Sequence, residues 1–415
     1  MTMLKNGLVA AFLASAAIIA APALAKDKPA AEATAKPPKL SKGVAVALQA
    51  AQKLQQAGDN QGSIAKIDEA AAVPNLTVDD VYTIASLRLN AAIGLKDNAL
   101  MEKSLDAMLA TDRAAPADKI KFLRAVSQLS SNRKDYPKAI GVTEQLVQLQ
   151  PQDFELKATL AELYFTQKQT AKATAMLGDA IAASKAAGTA PPESWYKRRV
   201  AFAVDGKVAN MIPATLRELV IAYPGPVNWR DALLITRDSF PKLDDQASLD
   251  FMRLQSATGS LNGERDFVEY ADTALGKGFP GEAQSAINEG IRRNMLVASK
   301  PLVAELKRSA DSKVAADKAS LPGLEKDIKT SPKLALATGD AYYGYGDFAK
   351  AASLYKMAIG AAAVDQPTAN LRLGMALAKA GDKAGATAAF QAVKGGAREE
   401  LAQYWLIWLN QAKPA

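Results

Sequence analysis

Residues 333–394 read KLALATGDAYYGYGDFAKAASLYKMAIGAAAVDQPTANLRLGMALAKAGDKAGATAAFQAVK, and one unit is written there twice. Gly339, Tyr342, Gly346, Ala351, Tyr355 and Ala358 recur 35 residues later as Gly374, Leu377, Gly381, Ala386, Phe390 and Val393. A constant step of that size, with small and aromatic residues at fixed offsets, marks a stacked array of helix pairs. In each unit a first helix carries Gly339 or Gly374 where its partner must come close, so that a side chain would collide. A turn follows at Tyr345-Gly346-Asp347 or Ala380-Gly381-Asp382. The second helix then offers Ala351 and Tyr355, or Ala386 and Phe390, back to the first.

Working outward, the scheme returns at Leu160, Ala161, Tyr164, Ala173, Leu177 and Ala180, and before that at Leu123, Val126, Ala139, Leu146 and Pro151. Ala139 and Ala173 stand 34 residues apart. Asp135-Tyr136-Pro137 opens a second helix, since proline in a first turn costs little. From Gly43, Ala47, Ala51 and Leu54 share a face, Gly58-Asp59 turns the chain, and Ser63, Ile67 and Ala70 share the next. Thr77 followed by Asp80 predicts a capped helix start. The Asp79/Asp80 pair is explained there by favourable charge at a helix N-terminus rather than by catalysis.

Further on, Pro191-Pro192 interrupts the rhythm, and Trp195 is expected in the core with Lys197, Arg198 and Arg199 reaching outward. Phe267, Tyr270, Ala271, Ala274, Ala283 and Ile287 give another unit. Residues 299–331 are expected to form a degenerate pair broken at Leu321-Pro322-Gly323. A last helix from Ala397 to Gln411, carrying Trp405 and Trp408, is expected to cover the end of the array.

The spacing of a small residue, an aromatic or Leu three later, then Ala, aromatic and Ala across a turn resembles the tetratricopeptide repeat (TPR) family. The resemblance implies an all-α fold: an α-solenoid of stacked antiparallel helix pairs, a TPR-like right-handed superhelix with a C-terminal capping helix. The organisation expected is a signal peptide over 1–25, a Pro/Ala/Lys-rich linker over 26–42 and N-terminal repeats over 43–190. Divergent helical repeats over 191–331 follow, then the clear tandem pair over 332–396, and the capping helix and tail over 397–415.

Composition narrows the chemistry. The 415 residues include no Cys and no His, which excludes disulfides, thiol nucleophiles, imidazole bases and zinc sites built on those ligands. No Walker-type phosphate loop occurs, because Gly259 to Gly263 lacks the following Lys-Ser/Thr. Single carboxylates in turns such as Gly346-Asp347 are too few for calcium. No catalytic constellation, metal site or cofactor is therefore expected. A net charge of +8 spread over a long chain reads as a solvated surface, and no nucleic-acid motif accompanies it.

Met1 to Ala25 reads as a secretory leader: Lys5, an apolar centre from Gly7 to Ala20, and the small-x-small site Ala23-Leu24-Ala25. The mature chain is expected to begin at Lys26, to have no transmembrane segment, and to be periplasmic or secreted. Without Cys it is not a lipoprotein.

The function expected is that of an exported, non-catalytic scaffold for protein–protein or protein–peptide interaction. By resemblance, its groove lies on the first helix of each pair and includes Lys121, Arg124, Gln128, Glu162, Phe165, Lys333, Asp340, Tyr343, Arg372 and Lys379. These positions depart from the basic-plus-Asn clamp with which some family members grip a C-terminal carboxylate, because no Asn stands at the corresponding places. The alternative is a component handling envelope polysaccharide or peptidoglycan, motivated by basicity and by Trp195, Trp229 and Trp408 as surface aromatics.

Overall fold

A computed structural model describes residues 38–411 except 330, 332 and 362. The expected leader and the linker as far as residue 37 lie outside the described residues. Those described form twenty α-helices and no strand. In chain order they are α1 (Lys42–Gln56), α2 (Asn60–Ala71), α3 (Val78–Leu95), α4 (Asn98–Leu109), α5 (Pro116–Asn132), α6 (Tyr136–Leu149), α7 (Phe154–Thr166), α8 (Thr170–Ala186), α9 (Glu193–Asp205) and α10 (Ile212–Ala222). There follow α11 (Pro226–Asp238), α12 (Asp245–Ala257), α13 (Gly263–Gly276), α14 (Pro280–Arg292), α15 (Pro301–Asp327), α16 (Leu334–Gly344), α17 (Phe348–Ala358), α18 (Gln366–Ala380), α19 (Lys383–Gln391) and α20 (Gly396–Asn410).

The turn inside a pair has a local cause that recurs. Gly58, Lys96, Lys134, Gly346 and Gly381 are left-handed, and each precedes an aspartate that caps the second helix. Asp59 accepts from the Gly62 N–H at 2.7 Å, Asp97 from Leu100 at 3.0 Å, and Asp382 from Gly385 at 2.8 Å. Asp135 and Asp347 do the same for Lys138 and Lys350. The left-handed residue reverses the chain, and the carboxylate satisfies a backbone donor that the helix leaves over. Two short helices joined so tightly must lie antiparallel and side by side.

The chain divides into two units, the first comprising residues up to 195 with 201–206, and the second residues 196–200 with 207 onward. In the first unit, helices pack chiefly on their chain neighbours, α1 on α2, α2 on α3, and so on to α8. Its apolar core is accordingly a series of small clusters. One joins Val44, Leu48, Ile67 and Ile84; the next Leu89, Leu105, Phe122 and Val126; a later one Leu160, Tyr164, Leu177 and Phe202. Each pair is too thin to bury its own apolar side and relies on the next. The expected cap at Thr77 is present as a reciprocal box with Asp80. Asp80, fully buried, also accepts from the Ser41 N–H at 2.9 Å and its Oγ at 2.7 Å. The same carboxylate thus starts α3 and pins the chain ahead of α1.

In the second unit, Gly339 and Gly374 do what the repeat predicts. A Cβ on Gly339 would meet the Tyr355 ring at 2.7 Å, and one on Gly374 the Phe390 ring at 2.5 Å. Residues 301–327 depart from expectation. They form one 27-residue helix instead of a pair, running through Pro322. Val303, Leu306 and Ala310 anchor its start in one apolar cluster, and Leu321 is buried near its end. Those two anchorages hold the helix continuous across the missing proline N–H. The last helix also does more than cover an end. Beyond α18 and α19 it packs on α10, α11 and α12, where Tyr404 Oη lies 3.0 Å from Thr236 Oγ1 and the Trp408 indole N–H donates to the Ala257 carbonyl at 3.1 Å.

Candidate functional site

The expected groove residues fall into two environments. In the first unit Lys121, Arg124 and Gln128 recur along α5 at offsets of three and four, which puts them on one face, and all are exposed. Lys121 pairs with Asp118 at 3.0 Å, and Gln128 bonds Asn132 at 2.9 Å. Arg124 reaches the start of α7, donating to Asp153 at 2.6 Å and to Gln150 at 2.8 Å. On α7, Glu155, Thr159, Glu162 and Thr166 make a second exposed stripe. Phe165 is half-buried and stacks on Phe202 with ring centroids 4.4 Å apart. The unit therefore shows a basic row on α5 and an acidic-polar row on α7.

In the second unit Lys333 and Lys379 are exposed, and the Lys379 ammonium sits 5.8 Å from the Trp408 ring centroid. Asp340, Tyr343 and Arg372 contradict the expectation of an open groove. They are 1, 7 and 2% exposed and belong to a buried ionic cluster. Arg372 donates to Asp340 at 2.5 Å, to Asp250 at 3.1 Å and to Gln246 at 2.5 Å. Arg253 forks onto both oxygens of Glu282 at 2.8 and 2.7 Å and also reaches Asp250 at 3.0 Å. Its guanidinium lies 5.0 Å from the Tyr343 ring centroid. Tyr355 and Tyr270 donate to Asp340 and Glu282 at 2.7 and 2.8 Å. The cause is α12, whose residues 249–255 are all buried. It fills the space in which the first helices α16 and α18 were expected to face solvent.

The electrostatics follow from that enclosure. Burial pushes the Asp340 carboxyl above its ordinary range, and the nearby Arg372 and Arg253 only partly offset it. Burial works against the charge on Arg253, but Glu282, Asp340 and Asp250 outweigh it and hold its pKa well above the usual value. Tyr270, Tyr343 and Tyr355 are all raised by burial first of all. Every ion in the cluster already faces an opposite charge, so the arrangement cross-links α12, α14, α16 and α18; it does not hold a poised acid or base. Among the described residues, no group of three His, Cys, Asp or Glu is placed to bind a metal ion. No helix among them is long and apolar enough to cross a membrane.

The tryptophans also need correction. Trp229 is buried against Tyr404, with centroids 6.0 Å apart, and is no surface aromatic. Trp195 is half-buried, edge-on to Phe154 at 6.1 Å, while its neighbour Tyr196 takes the core position. Trp405 stacks on Phe390 at 5.9 Å as the end cover requires, and Trp408 meets it edge-on. Trp229 and Trp405 are buried, so neither can line the accessible row that a glycan-binding groove needs.

Asp250 and Arg253 were missed because the repeat is faint in that stretch, and Glu282 because nothing in its own unit announces a partner on α12. A signal was present: Leu249, Phe251, Met252 and Leu254 are spread around the helix, so its apolar residues are not confined to one face.

No family model matches the chain, and no curated protein does. Among solved structures, it is similar to MamA 41-end from Desulfovibrio magneticus RS-1, at 13% identity over 44% of this chain and 96% of that one, with a TM-score of 0.27. A tetratricopeptide repeat protein from Parabacteroides merdae matches at 12% identity over 80% of this chain and 99% of that one, with a TM-score of 0.28. The TPR domain of P58(IPK) matches at 14% identity, 81% and 98% coverage, and a TM-score of 0.25. The helix-pair fold rests on the internal repeat and its packing.

Proposed function

We propose that this chain is an exported, non-catalytic scaffold that holds a protein or peptide segment along the α5 and α7 faces of its first unit. One observation carries the reading: Lys121, Arg124 and Gln128 beside Glu155, Thr159 and Glu162 form exposed polar rows on successive first helices. Opposed rows of charge suit a polypeptide, which offers both signs and backbone groups, better than a polyanion. In the second unit the equivalent face is filled by α12, so Asp340, Tyr343 and Arg372 serve closure and the partner surface lies elsewhere. Export rests on the Met1–Ala25 leader, and the absence of catalysis on a chain without His or Cys.

Tagged mature protein carrying Lys121→Glu, Arg124→Glu and Glu162→Lys together should recover its envelope partner at least about tenfold less than the parent, because three rim charges are reversed. Equal recovery by a folded triple variant refutes this face. N-terminal sequencing should begin at Lys26; a Met1 start refutes cleavage.

A further inference from the structure

The helices α11, α12 and α13 of the second unit bound a cleft of about 320 Å³, at the small end of ligand sites. Its guanidinium groups are unequally occupied. Arg230 is saturated by a bidentate pair with Asp266, both contacts at 3.1 Å. Arg237 is held loosely, 3.4 Å from Glu269 and 3.5 Å from Asp238, beyond the 2.7–2.9 Å typical of a well-made ionic hydrogen bond. Arg265, in the first turn of α13, has no acid partner among the described residues and is exposed.

A second, independent observation comes from the floor. The polar side chains buried on α12 are Asp250, Arg253 and Gln255. Asp250 and Arg253 are fully engaged in the ionic cluster. Gln255 is only 4% exposed and lines the cleft, so the part of it that protein does not cover faces that space. An amide placed there offers an N–H donor to whatever occupies the cleft.

We propose that this cleft is a binding site for a small carboxylate, which accepts hydrogen bonds from the Gln255 amide and the guanidinium groups of Arg265 and Arg237. The acids nearby do not defeat it. Asp266 is committed to Arg230 and to the Asn262 N–H at 2.9 Å, and Glu269 and Asp238 share one arginine. This site is separate from the α5–α7 face and stands whether or not that face binds a polypeptide.

Succinate titrated into the full chain by calorimetry is the test, with phosphate and methylammonium as comparators. Saturable one-to-one binding of succinate is expected, weakened about tenfold or more in Arg265→Ser and in Gln255→Leu, since each removes a hydrogen bond to a charged group. Arg265 is exposed, so its variant keeps the test valid should Gln255→Leu melt early. Three results overturn the proposal: no saturable succinate binding, binding unchanged in a folded Arg265→Ser, or phosphate bound as tightly as succinate. Heat from methylammonium alone would likewise overturn it.

Discussion

A Cβ placed on Gly339 would lie 2.7 Å from Cε1 of Tyr355, and Tyr355 cannot retreat. Its ring is fully buried, and its hydroxyl donates to Asp340 at 2.7 Å. The glycine therefore sets the distance between α16 and α17. Gly339→Ala should destabilise the second unit by about 1–3 kcal/mol through overpacking. Gly374→Ala, facing Phe390 at 2.5 Å, should cost a similar amount. Urea unfolding checks both, and an unchanged midpoint would mean that the paired helices can part freely.

Truncating Arg253 separates buried from surface ion pairing. Arg253→Met strands Glu282 and Asp250 in the interior and should cost about 3–5 kcal/mol. Arg124→Met removes a half-exposed pair with Asp153 and should cost less than about 1 kcal/mol. Chemical denaturation followed by circular dichroism distinguishes them; equal costs would contradict the enclosure of α12.

Acid should act on the two units in opposite directions. Burial alone would raise Asp80, but hydrogen bonds from Ser41 and Thr77 prevail and hold it at about 2 against an ordinary 3.8. The stability it contributes is present above 3.8 and is lost as the pH falls toward 2. Asp340 is raised by burial, so its contribution is greatest below 3.8 and declines as the pH rises through its elevated value. Asp340→Asn should flatten the decline in the second unit's stability as the pH rises above 3.8, while Asp80→Asn should remove the loss seen below 3.8. Hydrogen exchange resolved by helix gives the readout, and parallel responses of the two units would refute the assignment.

Pro322 sits exposed inside α15 and cannot donate to the carbonyl four residues earlier. Pro322→Ala restores that bond and should stabilise the protein by up to about 3 kcal/mol. A lowered melting temperature would show that the proline is needed where it stands.

How much could be read beforehand depended on whether a residue's role was local. Gly339, Tyr355, Gly374 and Phe390 fulfil their expected contacts because the repeat specifies a distance between adjacent helices. The Thr77–Asp80 box was legible for the same reason, being a contact over three residues, and the helix start at Asp135-Tyr136-Pro137 was legible from its proline. The tight turns at Lys96-Asp97 and Lys134-Asp135 are less so, since lysine replaces the glycine that normally announces a left-handed residue. The burial of Asp340 and Arg372 could not be read from their own repeats. It is imposed by Asp250 and Arg253, far away in sequence, and the period of the array carries no record of a helix laid across it. Pro322 misled for a related reason: a breaker predicts a boundary, yet anchors on either side carry the helix past it.

The enclosure of α12 has a consequence for biosynthesis. The first unit gains its contacts in the order in which a ribosome delivers its helices, so it can mature as it emerges. Asp250 must wait for Arg372, 122 positions downstream, and Trp408 closes over Ala257 only after 151. Until translation is almost finished, α12 therefore lacks the Arg372 guanidinium that Asp250 pairs with beyond its own Arg253. A chain terminated ahead of α18 would keep its first half sound and leave the second without a stable form.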